Sequence, residues 1–303
     1  MSLDADAVVY RRRLKRALAW WRAGAILLGA ALIVVVISRA TDLPGRPYIA
    51  RLDVSGIITE DPDRDRLLDD LTGDGKVRAV IVAIDSPGGT VVGGEQLFRR
   101  LRAVAAKKPV VAVMGTLATS AGYMTALGAD HLVAHEGTIT GSIGVILQAT
   151  DVTGLLAKLG ISTEAIKSAP LKAVPNPFEP LTPEAREATR AVVLDLYDMF
   201  VTMVAERRAL PRDEALRLAD GRVFTGRQAL KAKLVDALGG EEAARAWLKD
   251  KRGIDLSLPV RDVAPERDLS LWSAARSLAA GKTVLSERLT LDGVISLWHP
   301  DAR

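Results

Sequence analysis

Two apolar strands, each followed by a turn and an amphipathic helix, constrain the fold of this chain more than any other feature. The first strand is KVRAVIVAID at 76–85, and the second is VVAVMG at 110–115. Both are apolar almost throughout, as is typical of strands that a parallel sheet buries on two faces. Helices are predicted after them at 95–106 and 120–127. Because right-handed crossovers join such βα units, the order predicts an α/β fold with a parallel sheet.

The remaining pattern adds strands and helices around these two units. Further strands are predicted at 48–59, 131–137 and 139–147. Residues 168–183 carry five prolines and are expected to form a long irregular loop of the kind that often serves function. Thr182 and Pro183 then begin a helix that runs to about residue 210. Shorter helices are expected at 211–219, 226–232 and 241–250.

The longest apolar run of the chain, residues 17–37, predicts a membrane anchor. As a helix that rises 1.5 Å per residue it would be about 31 Å long, which is enough to cross a bilayer. The basic cluster Arg11–Arg16 precedes it, so the positive-inside rule leaves the N-terminus in the cytoplasm. A cleaved signal peptide is the alternative. The length of the run and the interfacial pair Trp20 and Trp21 favour an uncleaved anchor.

Charge and cysteine content exclude several classes of protein. The chain has 41 Lys and Arg against 37 Asp and Glu, a net charge of +4. Seven bases and two acids lie in residues 1–40, so residues 41–303 have a net charge of −1. A basic nucleic-acid-binding domain is therefore disfavoured. The absence of cysteine excludes disulfide scaffolds, thiolate metal sites and cysteine nucleophiles.

Familiar catalytic motifs are also missing. There is no P-loop, no G-x-G-x-x-G after a strand and no H-E-x-x-H. The serine elbow G-x-S-x-G fails because Ala118 stands at its first position. Of the three histidines, His131 and His135 lie in or beside a short apolar strand, and for them we favour a structural role over catalysis or metal binding. No cofactor and no metal are expected.

Small-residue turns at the strand ends are the remaining candidates, because α/β folds bind ligands at that end. The turns are 85–89, 119–123 and 140–144. Adjacent glycines in the first allow backbone N–H groups to approach a ligand closely, as an oxyanion site requires. The second turn puts Ser120 at a helix N-terminus, where a serine is either an N-cap or a nucleophile that the helix dipole assists.

A nucleophilic serine needs a base, and the histidines offer no supported one. The remaining way to activate it is a neutral lysine, whose pKa falls when the amine is buried in apolar surroundings. Lys167 and Lys172 lie in IKSAPLK at 166–172, at the entrance of the proline-rich loop. Most lysines are solvated surface charges, so composition and spacing alone single out neither of them.

Seven motifs in unbroken order, over about residues 48–245, make the chain similar to the signal peptide peptidases of the short, single-repeat SppA type. They are SGIIT at 55–59, DSPGG at 85–89, TSAGYM at 119–124, GADHLVAHEGTITGSIGV at 128–145, KLGIS at 158–162, IKSAPLK at 166–172 and ADGRVFTGRQALKAKLVDALGG at 219–240. The resemblance implies a ClpP/crotonase-like superhelix of repeated βα units. It also implies a membrane-associated homo-oligomeric dome that cleaves remnant signal peptides with a Ser/Lys dyad.

The resemblance also implies roles for single residues. Ser120 matches the nucleophile, and Lys172 matches the general base, with Lys167 as the second choice. Ser142 matches a serine that orients the lysine. Gly89, together with the Ser120 N–H, would form the oxyanion hole.

An extended substrate would lie along the DSPGG segment, in a groove formed by Ser86, Gly88, Gly89 and Thr90. Two departures from the family pattern are Ala121 in TSAGY and Ala169 in IKSAPLK. Because each adds a methyl group where relatives have glycine, both are expected to narrow the groove.

Two other functions compete with this interpretation: a crotonase-type acyl-CoA enzyme, and a non-catalytic membrane-tethered scaffold of the same fold. The set Ser120, Ser142 and Lys172 disfavours both. The expected partners are signal peptides and other peptides, the membrane and further copies of the chain, at the cytoplasmic membrane of a bacterium or archaeon with the catalytic domain outside. The predicted organisation is a cytoplasmic tail (1–16), an anchor (17–38), a linker (39–47), a peptidase domain (48–250) and a C-terminal tail with suggested oligomer contacts (251–303).

Overall fold

The computed structural model describes residues 46–265 and 295–297, together with residues 18, 20–30 and 33 near the N-terminus. Contacts divide the chain into two compact units, Met1–Arg46 and Pro47–Arg303. In the first unit, residues 18, 20–30 and 33 are helical and exposed. No helix within the described residues is both long enough and apolar enough to cross a membrane. The predicted cytoplasmic tail, nearly all of the linker, much of the anchor and His299 lie outside the described residues.

The second unit is built on one mixed sheet of nine strands within the described residues. Its central path runs in the order β6-β5-β3-β2-β1-β8, while β4 pairs with β3 and β7, and β9 pairs with β2. The strands are β1 Tyr48–Ile58, β2 Val77–Thr90, β3 Val110–Thr119, β4 His131–Ala134, β5 Ile139–Gly141, β6 Val223–Thr225, β7 Ala237–Leu238, β8 Val260–Val263 and β9 Ile295–Leu297. The pairs β1–β2, β2–β3, β3–β4 and β3–β5 are parallel, which confirms the α/β expectation.

Helices cover both faces of this sheet, since its strands are apolar on both. The helices of the described residues are α1 Pro62–Gly73, α2 Val91–Ala105, α3 Ala121–Ala126, α4 Thr153–Lys158, α5 Pro183–Arg208, α6 Arg212–Leu218, α7 Gly226–Lys231 and α8 Glu241–Arg252. On one face, α1, α2, α3 and α5 pack on residues such as Val80, Val82 and Ala112. On the other face, α8 packs on Ile81 and Val111. Alternate residues of one strand therefore enter different cores.

Several predicted element ends are wrong. The strand that begins at Val110 continues to Thr119, the strand that begins at His131 ends at Ala134, and two further errors concern the candidate turns. We expected the strand predicted at 76–85 to end in a turn before Ser86-Pro87-Gly88-Gly89, but β2 continues in extended form to Thr90. The expected strand 139–147 ends at Gly141, because Ser142 adopts a left-handed φ of 48° that no strand continues.

The proline-rich segment is irregular, as expected, and leads into α5. Thr182 caps that helix by accepting a hydrogen bond from the Ala185 N–H at 3.2 Å. The large apolar side chains of α5 are buried in its C-terminal half, where Phe200 and Val204 are inaccessible. In the N-terminal half Val192 is 52% exposed within the single chain.

Candidate active site

Ser120 occupies the turn between β3 and α3 in a strained backbone conformation. Its φ is 57° and its ψ is −119°, which is a costly combination for a residue with a Cβ, about 1–3 kcal/mol. Its side chain does not cap α3, and the residue is 1% exposed. The N-cap interpretation of Ser120 is therefore wrong. A strained strand-to-helix turn is the local geometry that presents a serine nucleophile in hydrolases, although the G-x-S-x-G motif is absent.

The end of β5 lies beside this turn and brings Ser142 to it. Thr119 pairs with Gly141, and the Ser120 N–H donates to the Gly141 carbonyl at 2.8 Å. Ser142 comes next, half-buried, with its own N–H donating to the Arg222 carbonyl at 2.8 Å. The strand ends thus bring the segments of Ser120 and Ser142 together, as expected.

The same hydrogen bond corrects one predicted role. We expected the Ser120 N–H to be an oxyanion-hole donor, but the Gly141 carbonyl already takes its hydrogen. Ala121 provides the next amide, the first of α3, and first-turn amides have no acceptor within their own helix. The amide that follows the nucleophile is also the one that serves the oxyanion in serine elbows.

The methyl group of Ala121 packs away from any groove. Ala121 is fully buried, and a Cβ built on Gly94 of α2 would lie 2.9 Å from the Ala121 Cβ. The absent side chain of Gly94 thus provides the space for the methyl group. The expected narrowing of the groove by Ala121 is not observed. Ala169, in contrast, is exposed in the loop.

The side chains of Ser86 and Thr90 are unavailable to a substrate, contrary to expectation. Ser86 is inaccessible, and its hydroxyl donates to the Gly56 carbonyl at 2.6 Å. Thr90 is 2% exposed and accepts a hydrogen bond from the Gly93 N–H at 3.0 Å, as the N-cap of α2. Both side chains brace the strand, so only the backbone of the expected groove remains to contact a substrate.

Gly89 is required by a close approach of β1. A Cβ at this position would lie 1.8 Å from the Ile58 carbonyl oxygen, a contact that backbone atoms cannot relieve without moving the strands. Gly88 beside it has a φ of 120°, which L side chains rarely adopt. The two glycines therefore serve strand packing as well as any ligand.

Lys172, the expected base, is part of the proline-rich loop and of no strand end. It is exposed in a turn of the proline-rich loop, where its backbone N–H donates to the Ala169 carbonyl at 3.0 Å. Within the described residues we find no hydrogen bond or ion pair of its ammonium group. The loop encloses a cavity of about 690 Å³ whose wall, Lys172 included, comes from residues 163–179 alone. The Ser/Lys pair is therefore not assembled within the described chain.

Lys167, the second-choice base, is engaged elsewhere. Its side chain is 15% exposed and forms an ion pair with Glu179 across the loop. The hydrogen bond from Lys167 lowers the pKa of Glu179. Because its amine is engaged by Glu179, this contact disfavours Lys167 as the partner of Ser120.

The two described histidines have structural surroundings. The His131 ring stacks on Trp247 with a centroid separation of 4.8 Å, and its Nδ1 lies 3.6 Å from Asp236. Burial lowers the pKa of His131. The ring of His135 lies against Gly240. Among the residues that the structure describes, no group of three or more metal-ligating side chains is found.

Comparison with known proteins provides the family. The family described as "Peptidase family S49" has a sequence model that matches residues 102–255, about half of the chain. A Synechocystis protein named as a protease is 42% identical over 212 residues, which are 69% of this chain and 76% of that protein. The chain belongs to peptidase family S49.

Further relatives of this S49 peptidase carry the SppA name. The chloroplastic serine protease SPPA of Arabidopsis thaliana is 34% identical over 221 residues, 73% of this chain and 32% of that protein. An Enterococcus faecium protein named for signal peptide peptidase SppA is 33% identical over 189 residues, 61% of this chain and 54% of that protein. The chain thus spans about half or less of these two relatives. It is a member of the signal peptide peptidase SppA family, and the mixed α/β sheet is consistent with that family.

Ser120, Ser142, Lys167 and Lys172 all lie within the S49 region, whereas Gly89 precedes it. Sequence reasoning missed two features of the site, the Ala121 amide and the bracing role of Ser86. Only the Ala121 amide could have been found from the local sequence, because a residue that follows a serine at a helix start provides a first-turn amide.

Proposed function

We propose that this S49 peptidase is a membrane-anchored serine endopeptidase with a Ser/Lys dyad. Its substrates are remnant signal peptides and other unfolded or hydrophobic peptides. The observation that carries the proposal is the strained turn at Ser120, φ 57° and ψ −119°, whose side chain is not used as a helix cap. Strain that secondary structure does not require is typical of functional residues.

In the proposed reaction the Ser120 hydroxyl attacks the scissile carbonyl while Lys172 accepts its proton. The N–H groups of Gly89 and Ala121 hold the oxyanion, and the Ser142 hydroxyl orients the amine of Lys172. Protonated Lys172 then donates to the leaving amine, and water hydrolyses the acyl-enzyme. Such preorganised amide donors each contribute about 10²–10³-fold to the rate.

The proposal requires Lys172 to come within about 2.6–3.2 Å of the Ser120 hydroxyl. Movement of the exposed proline-rich loop towards the strand ends is one way to meet this requirement. Assembly of several copies of the chain is a second way, because the same region exposes apolar side chains that a homo-oligomer would cover. Ile166 is 98% exposed, Phe178 53% and Val192 52% within the single chain.

A hydrophobic substrate class follows from the proposed anchor at 17–38, which would hold the site beside the membrane where cleaved signal peptides remain. Main-chain hydrogen bonds along β2 do not depend on the side chains of the substrate. They therefore suit peptides that share an extended conformation but no common sequence.

The test uses the full chain, purified in mild detergent, with a fluorescence-quenched signal-peptide sequence as substrate. We expect Ser120→Ala and Lys172→Ala each to lower kcat/KM by about 10²–10⁴-fold. Lys167→Ala is the matched control and should retain most activity, because Lys167 pairs with Glu179. Activity should rise towards alkaline pH, since the base acts in its neutral form.

Retained cleavage in Ser120→Ala or Lys172→Ala would contradict the dyad. Loss in Lys167→Ala with retention in Lys172→Ala would move the base to Lys167. Labelling of the wild type, but not of Ser120→Ala, by a fluorophosphonate would separate a nucleophilic enzyme from a non-catalytic scaffold.

A further inference from the structure

The two proposed oxyanion donors belong to different elements of the fold. The Gly89 N–H comes from the end of β2, and the Ala121 N–H comes from the first turn of α3. Both must lie within about 2.7–3.1 Å of one oxygen atom. The main-chain pairing of β2 with β3, however, ends at Ser86 opposite Ala118, before either donor is reached. Other contacts must therefore hold the two segments in register.

Thr119 provides such a contact from the last position of β3. The residue is completely buried, and its hydroxyl donates a hydrogen bond to the Pro87 carbonyl of β2 at 3.0 Å. The amide of the next residue is directed elsewhere, because the Ser120 N–H donates to the Gly141 carbonyl of β5 at 2.8 Å. The side chain of Thr119 thus continues the connection between β3 and β2 past the point at which their main-chain pairing ends.

The peptide group between Pro87 and Gly88 is held at both ends by side-chain hydroxyls. Its carbonyl accepts from Thr119, and its N–H donates to the Ser86 hydroxyl at 3.1 Å. Because a peptide group is planar and rigid, these two bonds fix its orientation. Gly88 follows with a φ of 120°, and a glycine restricts its own dihedral angles very little. The direction of the Gly89 N–H therefore depends on the fixed peptide group before it.

The same side chain adjoins the strained nucleophile. A backbone conformation such as φ 57° and ψ −119° at Ser120 persists only where the surroundings hold the chain on both sides. On the N-terminal side, Thr119 is bound to β2 by its hydroxyl and to β5 by its pairing with Gly141. On the C-terminal side, α3 lies against β2, since a Cβ on Gly122 would be 3.0 Å from the Ser86 carbonyl oxygen.

We propose that Thr119 is a positioning residue, whose hydroxyl ties the Ser120 turn to the peptide group that precedes the oxyanion donor Gly89. The proposal rests on the proposed function for the reaction that this tie serves. The nucleophile and the amide donors act when negative charge develops on the substrate carbonyl, so loss of the tie lowers kcat and leaves KM unchanged. A side chain that served folding alone would lower stability without separating kcat from KM.

The perturbation is Thr119→Val, which keeps the branched shape of the side chain and removes the hydroxyl. Thr119→Ser is the conservative variant, because it retains the donor. Thr140→Val in β5 is the matched control, since Thr140 is equally buried and its hydroxyl donates to the Ala118 carbonyl at 2.7 Å. Ala118 is also held by main-chain pairing with β2 and β5, so the control should lose stability without moving the site.

The first measurement does not depend on catalysis. Amide hydrogen exchange of each full chain in detergent is followed by mass spectrometry on proteolytic fragments that cover residues 86–92. We expect exchange in this segment to be about tenfold faster in Thr119→Val than in the wild type, the ratio that corresponds to loss of about one hydrogen bond. Thr119→Ser and Thr140→Val should exchange there like the wild type.

The second measurement is hydrolysis of the quenched signal-peptide substrate. We expect Thr119→Val to lower kcat by about 10-fold to 100-fold with an unchanged KM, because a small displacement of the nucleophile or of an oxyanion donor has effects of this size. Thr119→Ser should restore most of kcat, and Thr140→Val should retain it. The urea midpoints of Thr119→Val and Thr140→Val should fall equally, since each loses one buried hydrogen bond.

Equal losses of kcat in Thr119→Val and Thr140→Val, or no recovery in Thr119→Ser, would overturn the positioning role. Hydrolysis by the wild type together with unchanged exchange in Thr119→Val would refute the tie and leave the proposed function standing. Absence of hydrolysis in every chain, with faster exchange in Thr119→Val alone, would refute the proposed function and retain the tie between the two segments.

Discussion

Gly94 and Ala121 provide a direct test of how the Ser120 turn is held. A Cβ on Gly94 would lie 2.9 Å from the Ala121 Cβ, 3.1 Å from the Met124 sulfur and 3.3 Å from the Ala121 Cα. Normal carbon contacts are about 3.5–4.0 Å, so Gly94→Ala must separate α2 from α3 by at least about half an ångström. Met124 has a flexible side chain, whereas the Ala121 methyl group is rigidly attached beside Ser120.

The magnitude follows from two opposing effects. Overpacking of this kind costs about 1–3 kcal/mol, and replacing a helical glycine by alanine returns about 0.8–1.0 kcal/mol. We therefore expect Gly94→Ala to lower the free energy of unfolding by about 1 kcal/mol. A larger effect is expected on kcat, about 10-fold to 100-fold, because a small displacement at the nucleophile costs more than the same displacement elsewhere.

The assay is a double-mutant cycle measured by urea unfolding and peptide hydrolysis. Ala121→Gly removes the atom that the new methyl group meets, so Gly94→Ala should be neutral or stabilising in that background, with a coupling of about 2 kcal/mol. Gly73→Ala is the matched control for helix propensity, since a Cβ there meets nothing within 4 Å. Additivity of the two substitutions within about 0.5 kcal/mol would refute the packing argument.

Two further predictions concern the strand pair and the half-buried His131. Gly89→Ala would bring a Cβ within 1.8 Å of the Ile58 oxygen, so we expect a loss of about 3 kcal/mol or more, and an unchanged urea midpoint would contradict the close approach. Burial lowers the pKa of His131 below its ordinary 6.5, so the unfolded chain binds the proton first and stability falls as pH drops below about 6.5. His131→Phe keeps a ring against Trp247 and should lose less stability than the wild type between pH 7.5 and 5.5; equal losses in both chains would contradict this assignment.

The succession of elements could be predicted because it depends on local periodicity. The apolar run that became β3 and the Thr182-Pro183 start of α5 are both readable within a few residues. The end of β2 was not readable in this way. Pro87, Gly88 and Gly89 favour a turn locally, and the strand continues because it pairs with β1, where the partner of Gly89 is Ile58, 31 positions earlier.

The candidate site, too, could be predicted from the sequence only in part. Ser120, Ser142 and Gly89 came from motifs, and the parallel order of β2, β3 and β5 explains why they meet at one end of the sheet. The roles of Ser86 and of the Ser120 N–H did not follow from those motifs. Each depends on a hydrogen-bond acceptor, Gly56 or Gly141, from a distant part of the chain.

By itself the sequence determined the order of strands and helices, the family motifs and the residue types able to perform serine chemistry. Only the tertiary structure decided which of those polar groups are available. The hydroxyl groups of Ser86 and Thr90 form hydrogen bonds with the backbone, and Lys167 pairs with Glu179. β9 pairs with the end of β2 that contains Gly88 and Gly89. The physical reason is that side-chain chemistry is local, whereas hydrogen-bond satisfaction depends on neighbours that only folding brings together.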